Sequence, residues 1–309
     1  SIATHLGTAH NELYIGDKEL LDIVPKMSEI YDEPFADSSQ IPTYLLSGFT
    51  RQNVTVALSG DGGDELFYGY NYYSKMVRIR NKLRLIPKML LDVGRKLFTL
   101  GNKFQSRYDI LKFRDYMEFY ENVMSHYIHP EKMVKGIGER RKWSFSERMG
   151  SAYIEKFIDR ITYADLLTYL PDDLLTKVDR ASMAVSLEVR VPLLDHRVVE
   201  FSKRVPVKYK LLGQQQKIIL KELAYRYIPK KLLERPKKGF SVPMDSWLRG
   251  SLNEWAQELL GEQRIKNEGY LNYDWVEWIW KEHNERGRNH GRQIWDILIF
   301  QDWLQKEKK

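Results

Sequence analysis

The residues best suited to chemistry lie in one short run, Ser59-Gly60-Asp61-Gly62-Gly63-Asp64-Glu65. Three glycines let the backbone turn sharply and aim its N–H groups inward. Successive N–H groups in such a turn form an anion-binding nest, and a helix beginning there would add its positive end. Phosphate is the obvious anion. Two carboxylates three residues apart, Asp61 and Asp64, carry the wrong charge for bare phosphate but suit it if Mg²⁺ lies between. Asp61 is alternatively placed to orient or deprotonate an incoming nucleophile. No GxxxxGK[ST] occurs in the chain and no GxGxxG follows this strand, so the run is not a Walker or dinucleotide loop. A Gly/Asp-rich turn that merely ends a strand has the same composition, and the loop alone leaves both readings open.

Two further runs carry charge in constrained settings. Residues 171–196 read PDDLLTKVDRASMAVSLEVRVPLLDH. Asp179, Arg180, Glu188, Arg190 and Asp195 sit there among Met183, Val185, Leu187, Val189, Val191, Leu193 and Leu194. Partly buried charges are costly unless paired, which predicts pairs of Asp179 or Glu188 with Arg180 or Arg190. Such pairs can be purely structural. Lys177 and Arg180 are three apart on one predicted helix, hence on one face, and that face could point at phosphates. Residues 235–249 read RPKKGFSVPMDSWLR, where Pro236 and Pro243 bracket a stretch that cannot be regular helix. Lys237 and Lys238 are thus held on a constrained loop. A fixed Lys is useful for neutralising charge that develops on phosphate or on a tetrahedral intermediate. A basic loop in solvent is the plainer alternative.

These residues must be positioned by a mixed, mostly helical chain. Val54-Thr55-Val56-Ala57-Leu58 is a short β-branched apolar run, predicted to be a buried parallel strand. An aromatic stretch, 66–73, follows the glycine loop. Apolar spacing of the 3.6-residue type predicts helices at 18–30, 41–51, 105–127, 143–170, 174–186, 214–227, 252–261, 272–284 and 291–306. One clear strand cannot make a sheet. The others are either weakly marked or lie in sequence preceding Ser1.

Composition narrows the classes. With 309 residues, 43% of them hydrophobic, the chain can bury one substantial core. No apolar run approaches the roughly 18 residues that a membrane span needs. The chain lacks an initiator Met and opens SIATHLGTAHNE, without the pattern of a signal peptide. The absence of cysteine excludes disulfides, thiolate metal sites and a Cys nucleophile here, and suits a cytoplasmic protein. Net charge is +7, and between Lys75 and Arg114 twelve Lys or Arg face only Asp92 and Asp109. This reads as the solvated face of surface helices rather than a nucleic-acid patch, because aromatics are not interleaved as stacking platforms would be.

In order along the chain, these motifs resemble the asparagine synthetase family of glutamine-dependent amidotransferases. The resemblance extends to Ala3-Thr4-His5-Leu6-Gly7-Thr8-Ala9-His10, to Asp32-Glu33-Pro34-Phe35-Ala36-Asp37-Ser38-Ser39 with Pro42-Thr43-Tyr44, to the run from Lys217 to Lys221, and to a closing helix near 287–304. It implies one synthetase domain over 1–309. Residues 1–75 would be the remainder of an α/β ATP-pyrophosphatase core with a parallel sheet incomplete at its N-terminus. Residues 76–309 would be a largely helical C-terminal region. The implied reaction is adenylation of a carboxylate, most simply aspartate, by ATP, followed by displacement of AMP by ammonia from glutamine. Sugar acids, peptides or a β-lactam ring closure are alternative acceptors, and a tRNA-acting relative of the fold is the competing class.

By the same resemblance, Ser59, Gly60, Gly62 and Gly63 contact the nucleotide, and Asp64 binds Mg²⁺ and pyrophosphate. Asp61 stands at an acidic position near the acyl group that is often Glu, and the shorter side chain leaves its role as a base open. Lys237 stabilises charge during adenylation and amide formation. Lys177 lies near the phosphates, with Arg180 beside it. The family's N-terminal glutaminase domain, with its catalytic Cys, has no counterpart in these 309 residues, and neither has its SGGxDS loop. The expectation is a fragment that starts one or two strands into its domain and turns over little or no ATP alone. A homodimer is compatible with this reading.

Overall fold

The protein is described from a computed structural model, which covers residues 1–84, 86, 120–121, 123–127, 130–137, 154–234, 240 and 242–307. Lys237, Lys238 and most of the basic stretch to Arg114 lie outside the described residues. Eight elements matter for the site: helix α1 (Gln40–Arg51), strand β1 (Val56–Leu58), helices α2 (Gly63–Phe67), α3 (Asn71–Arg84), α4 (Phe157–Leu167) and α5 (Thr176–Met183), strand β2 (Glu188–Arg190) and helix α6 (His196–Arg204). A short antiparallel hairpin, β3 (Leu211–Leu212) and β4 (Gln215–Gln216), leads into α7 (Ile218–Ala224). The rest is helical and ends in α8 (Gly291–Glu307), the longest of the described helices.

Strand β1 runs parallel to β2, with Val56 opposite Glu188, Ala57 opposite Val189 and Leu58 opposite Arg190. The ladder continues on both sides, from Glu188 N to Thr55 O and from Ser59 N to Arg190 O, both at 2.9 Å. The parallel setting agrees with the sequence; the expected burial does not. Val54, Val56 and Leu58 are 44%, 38% and 72% exposed. A parallel strand is apolar on both faces because neighbours normally cover both. Here, among the described residues, β1 pairs with β2 alone.

Strand β2 is the second departure. Its charges are not buried: Glu188 and Arg190 pair with each other at 2.7 Å on the surface. Asp195 caps α6, accepting from Arg197 N at 2.9 Å. Arg197 also closes a salt bridge onto it. The predicted helix over 18–30 is broken at Pro25 into Asp17–Leu21, a 3-10 turn and Met27–Ile30. The predicted 174–186 helix begins earlier, as a π-helical segment, Leu170–Leu175, before α5. The 214–227 helix loses its first turn to the hairpin. The helices predicted at 41–51, 252–261, 272–284 and 291–306 are present as Gln40–Arg51, Asn253–Leu259, Tyr273–Asn284 and Gly291–Glu307.

The main core gathers around α8. Ile294, Trp295, Ile297, Leu298 and Ile299 are buried against Met27, Tyr31, Ile41, Trp247, Leu248 and Ile279. A polar bolt joins α8 to Met27–Ile30, as Asp302 accepts from Ser28 and pairs with Lys306 at 3.2 Å. A second core lies behind the glycine loop, where Tyr68, Tyr73, Met76 and Tyr120 meet Phe157, Ile158, Ile161 and Ala164 of α4. Among the described residues, no helix is long and apolar enough to cross a membrane.

Candidate active site

The loop 59–65 leaves the carboxyl end of β1, and Val191–Leu194 leaves the adjacent carboxyl end of β2. Ligands of open α/β sheets bind on this side. The two runs are packed together, which sequence alone did not state. Gly62 has φ +78°, the left-handed region that favours glycine, and a Cβ there would lie 2.3 Å from Leu194 Cδ2. A Cβ on Gly63 would lie 3.0 Å from Leu193 Cδ1. The Pro192-Leu193-Leu194 turn is therefore the floor on which the glycine loop rests. Ser59 Oγ donates to Asp61 Oδ2 at 2.8 Å, which orients the carboxylate at the start of the turn.

Helix α2 carries Asp64 but has only five residues, so it contributes little of the dipole expected of a longer helix. A side chain supplies the positive charge instead. Lys217 Nζ lies 2.9 Å from Asp64 Oδ1. Lys217 reaches it from the end of the β3–β4 hairpin, with its own backbone at φ +54°. Gly69 closes the other side, its N–H donating to Asp64 O at 2.8 Å. A Cβ on Gly69 would stand 1.8 Å from Asp64 Oδ1 and 2.1 Å from Lys217 Cε. The Asp64–Lys217 pair thus lies directly against bare backbone. The sequence reading included Lys217 in a resembling segment without assigning it a role. Its basic side chain just after GQQQ was the signal available, but the left-handed backbone that aims it is not legible in sequence.

Lys177 and Arg180 do share a face, and it meets the 32–37 segment. Lys177 is buried, with Nζ 2.6 Å from Asp37 Oδ2 and 4.0 Å from Asp173 Oδ1. Arg180 is half-exposed and pairs with Asp32 at 2.9 Å. Tyr31 donates its hydroxyl to Lys177 O at 3.0 Å, completing this joint. Asp37 also accepts from Ser39 N and Oγ, both at 2.9 Å. Burial pushes the Asp37 carboxyl up, but Lys177 and the Ser39 N–H outweigh it and hold it below the usual carboxylate range.

Asp173, on the π-helical segment, behaves oppositely. Burial first, then the neighbouring Asp37 charge, push its carboxyl up to about 7 against the pull of Lys177. Its folded pKa lies above its unfolded one, so its contribution to stability is present below about pH 4 and is lost as pH rises through about 7. Asp173→Asn is expected to unfold at a higher temperature than wild type at pH 8, by about 1–2 °C for each kcal/mol gained in a chain of this length. At pH 4 the two should coincide. Thermal melts at both pH values check this, and a variant no more stable at pH 8 would contradict it.

The donor set can be weighed against Mg²⁺ carried by a nucleotide. Among the described residues there is no group of three or more Asp, Glu or His side chains fit to cage a metal. Mg²⁺ on nucleotides takes one or two protein carboxylates and fills its remaining positions with phosphate oxygens and water. Asp64, with Asp61 in the same loop and Lys217 beside it, fits that partial demand.

Comparison with known proteins identifies the family. The asparagine synthase family model matches residues 1–305. "Asparagine synthetase [glutamine-hydrolyzing] 1" of Bacillus subtilis (strain 168) is 32% identical over 314 residues, covering 97% of this chain and 48% of that protein. A "putative asparagine synthetase [glutamine-hydrolyzing]" of Mycobacterium tuberculosis (strain ATCC 25618 / H37Rv) is 31% identical, covering 97% of this chain and 47% of that protein. A further putative asparagine synthetase, from Methanocaldococcus jannaschii, is 33% identical over 207 residues, covering 62% of this chain and 38% of that protein. The chain therefore spans about half the length of the curated relatives it matches. On its matched span and identity, the chain belongs to the asparagine synthase family.

Proposed function

We propose that this chain forms the pyrophosphate side of an ATP-dependent amide-forming ligase whose acceptor is a carboxylate, with aspartate as the first choice. The observation that carries the reading is the Asp64–Lys217 pair held against Gly69 at the carboxyl end of a parallel strand pair. An acid and a base side by side suit a Mg²⁺-bearing polyphosphate, which presents both signs of charge.

In this account an oxygen of the acceptor carboxylate attacks the α-phosphorus of ATP, and pyrophosphate leaves. Ammonia then attacks the acyl carbon, and AMP departs with the oxygen that bridged them. Ser59 and Gly60 lie along the nucleotide, and the N–H groups of Gly62 and Gly63 turn toward its phosphates. Lys217 neutralises charge that grows on the leaving pyrophosphate, where a preorganised cation contributes most. Asp64 would hold Mg²⁺, which would supply positive charge to the polyphosphate. Asp61, oriented by Ser59, is placed to steer the reacting acyl group. Lys237 is assigned a second cationic role through the family resemblance alone. Lys177 and Arg180 anchor the 32–37 segment, and their role near the phosphates is assigned through the family resemblance alone.

The relatives' names place glutamine hydrolysis in those longer proteins, and we assign the ammonia supply here to a glutaminase unit outside these 309 residues. The exposed face and the edge of β1 left open among the described residues would be covered by further strands of the synthetase domain itself, which would also bring the family's SGGxDS loop. Cytoplasmic location follows from this metabolic reading.

The test is isotope transfer in the chain joined to its natural upstream sequence. Aspartate labelled with ¹⁸O in its side-chain carboxylate should yield AMP carrying one ¹⁸O per turnover. Unlabelled AMP, or ADP as the product, would remove the acyl-adenylate from the account.

A further inference from the structure

The tyrosines that follow the loop take no part in the chemistry above, yet their hydroxyls end on carboxylates. Tyr68 donates to Asp159 and Tyr70 to Glu65, the latter at 2.5 Å. Tyr72 and Tyr73 both donate to Asp165 Oδ2, and Tyr120 donates to Asp165 Oδ1. Asp165, Tyr73 and Tyr120 are wholly buried and Glu65 nearly so. The rings are packed as well as bonded. Tyr70 stacks on Tyr72 at 5.3 Å, and Tyr70 and Tyr72 each meet Tyr73 edge-on.

This is an unusual way to bury a carboxylate. Burial raises the Asp165 carboxyl, and three phenol hydroxyls rather than a cation pull it back. A flexible Lys or Arg would satisfy the charge from many directions. A tyrosine has a stiff arm with two side-chain torsions, so its hydroxyl also fixes where its backbone sits. The backbone in question adjoins Asp64. Tyr68 ends α2 in the left-handed conformation at φ +61°, which costs a non-glycine residue about 1 kcal/mol or more and must be held by its surroundings. Its ring is covered by Lys210 Nζ, 4.6 Å from the centroid. The next residue is Gly69, against which the Asp64–Lys217 pair lies.

We propose that Asp165 is a positioning residue: through Tyr72 and Tyr73 it holds the Tyr68–Tyr70 backbone in register, and thereby sets the place of Asp64. The tyrosine-rich stretch after the loop is then a rigid mount for the site. Its consequence for turnover rests on the phosphate-site reading above; its consequence for the backbone does not.

The experiment separates the two. Amide hydrogen exchange is followed in the 309-residue chain, comparing wild type with Asp165→Asn and with Tyr72→Phe/Tyr73→Phe. The second variant keeps both rings and removes only the hydroxyls, so it remains informative if the first folds poorly. The Gly69 amide should exchange about 10-fold faster in each, the scale of losing a hydrogen bond to a charged group, with the Ile297 and Leu298 amides in α8 unchanged. An unchanged Gly69 amide, or equal acceleration in α8, would overturn the proposal. In the chain with its upstream sequence, Asp165→Asn should lower the maximal rate of ATP–pyrophosphate exchange about 10-fold, and should lower it no further in an Asp64→Asn background. Additive losses would contradict action through Asp64. No exchange in wild type would count against the phosphate-site reading, while the Gly69 amide would still decide the positioning.

Discussion

Asp64→Asn is expected to lower carboxylate-dependent ATP–pyrophosphate exchange by about 10²–10³-fold, the scale of removing one preorganised charged partner from a reacting centre. The substitution keeps size and shape and removes only charge. In the wild type, Asp64 faces Lys217 at 2.9 Å, so the pair is neutral before substrate arrives. With Asn the ammonium stands alone, and the site gains affinity for bare phosphate while losing its carboxylate for Mg²⁺. The expected signature is therefore a large fall in maximal rate with metal-free pyrophosphate binding kept or tightened. Steady-state exchange and a pyrophosphate titration without Mg²⁺ read the two effects separately. An Asn variant that retained wild-type exchange would remove Asp64 from the account.

Gly69→Ala is expected to cost about 10²-fold in the same exchange while leaving the fold nearly as stable as before. The new methyl would fall 1.8 Å from Asp64 Oδ1 and 2.1 Å from Lys217 Cε. Both neighbours are ends of flexible side chains, so they can move aside without disturbing the backbone. Gly69 is also not in the left-handed region, and Ala adds no backbone strain there. What moves is the ion pair itself, and displacing a reacting group by about 1 Å is enough for an effect of this size. Thermal melts should shift by no more than a few degrees. Full activity in the variant would show that the pair's position against the Gly69 backbone is immaterial, and a collapse in stability would show that the methyl strikes something other than these side chains.

The legibility of this site in the sequence was uneven, for physical reasons. The strand Val54-Thr55-Val56-Ala57-Leu58 and the glycine loop after it could be read directly, because β-branched runs and glycine clusters carry strong local preferences. The partner strand could not. In Glu188-Val189-Arg190 two of three residues are charged, and the mutual pair at 2.7 Å that lets them lie on the surface depends on the strand already being formed. Burial of β1 was overpredicted because an apolar run records what a strand needs, while its coverage depends on other chain. The break at Pro25 was available in the sequence and was overridden by apolar spacing on either side. The role of Lys217 is not legible for a different reason, since its reach to Asp64 requires a tight hairpin and a left-handed residue in succession. Lys177 was correctly seen as a shared face with Arg180, but which way that face turns is set by Asp32 and Asp37, some 140 residues earlier in the chain.

The basic patch between Lys75 and Arg114 is described only at its start. There Lys75 and Arg78 are exposed on α3, while Arg80 lies over the ring of Phe157 at 4.7 Å. Part of that charge thus packs onto the second core, as long basic side chains do when their stems cover apolar surface.

On the proposed reading, the loop from Ser59 to Glu65, with Lys217, holds the pyrophosphate of an ATP that a carboxylate attacks. The most direct measurement is incorporation of labelled pyrophosphate into ATP by the chain joined to its upstream sequence, with Mg²⁺ and a panel of carboxylic acids. Incorporation is expected to require an acid, to be strongest with aspartate, and to disappear in Asp64→Ala and Lys217→Ala. Exchange with no dependence on any acid, or exchange that survives both substitutions, would contradict it.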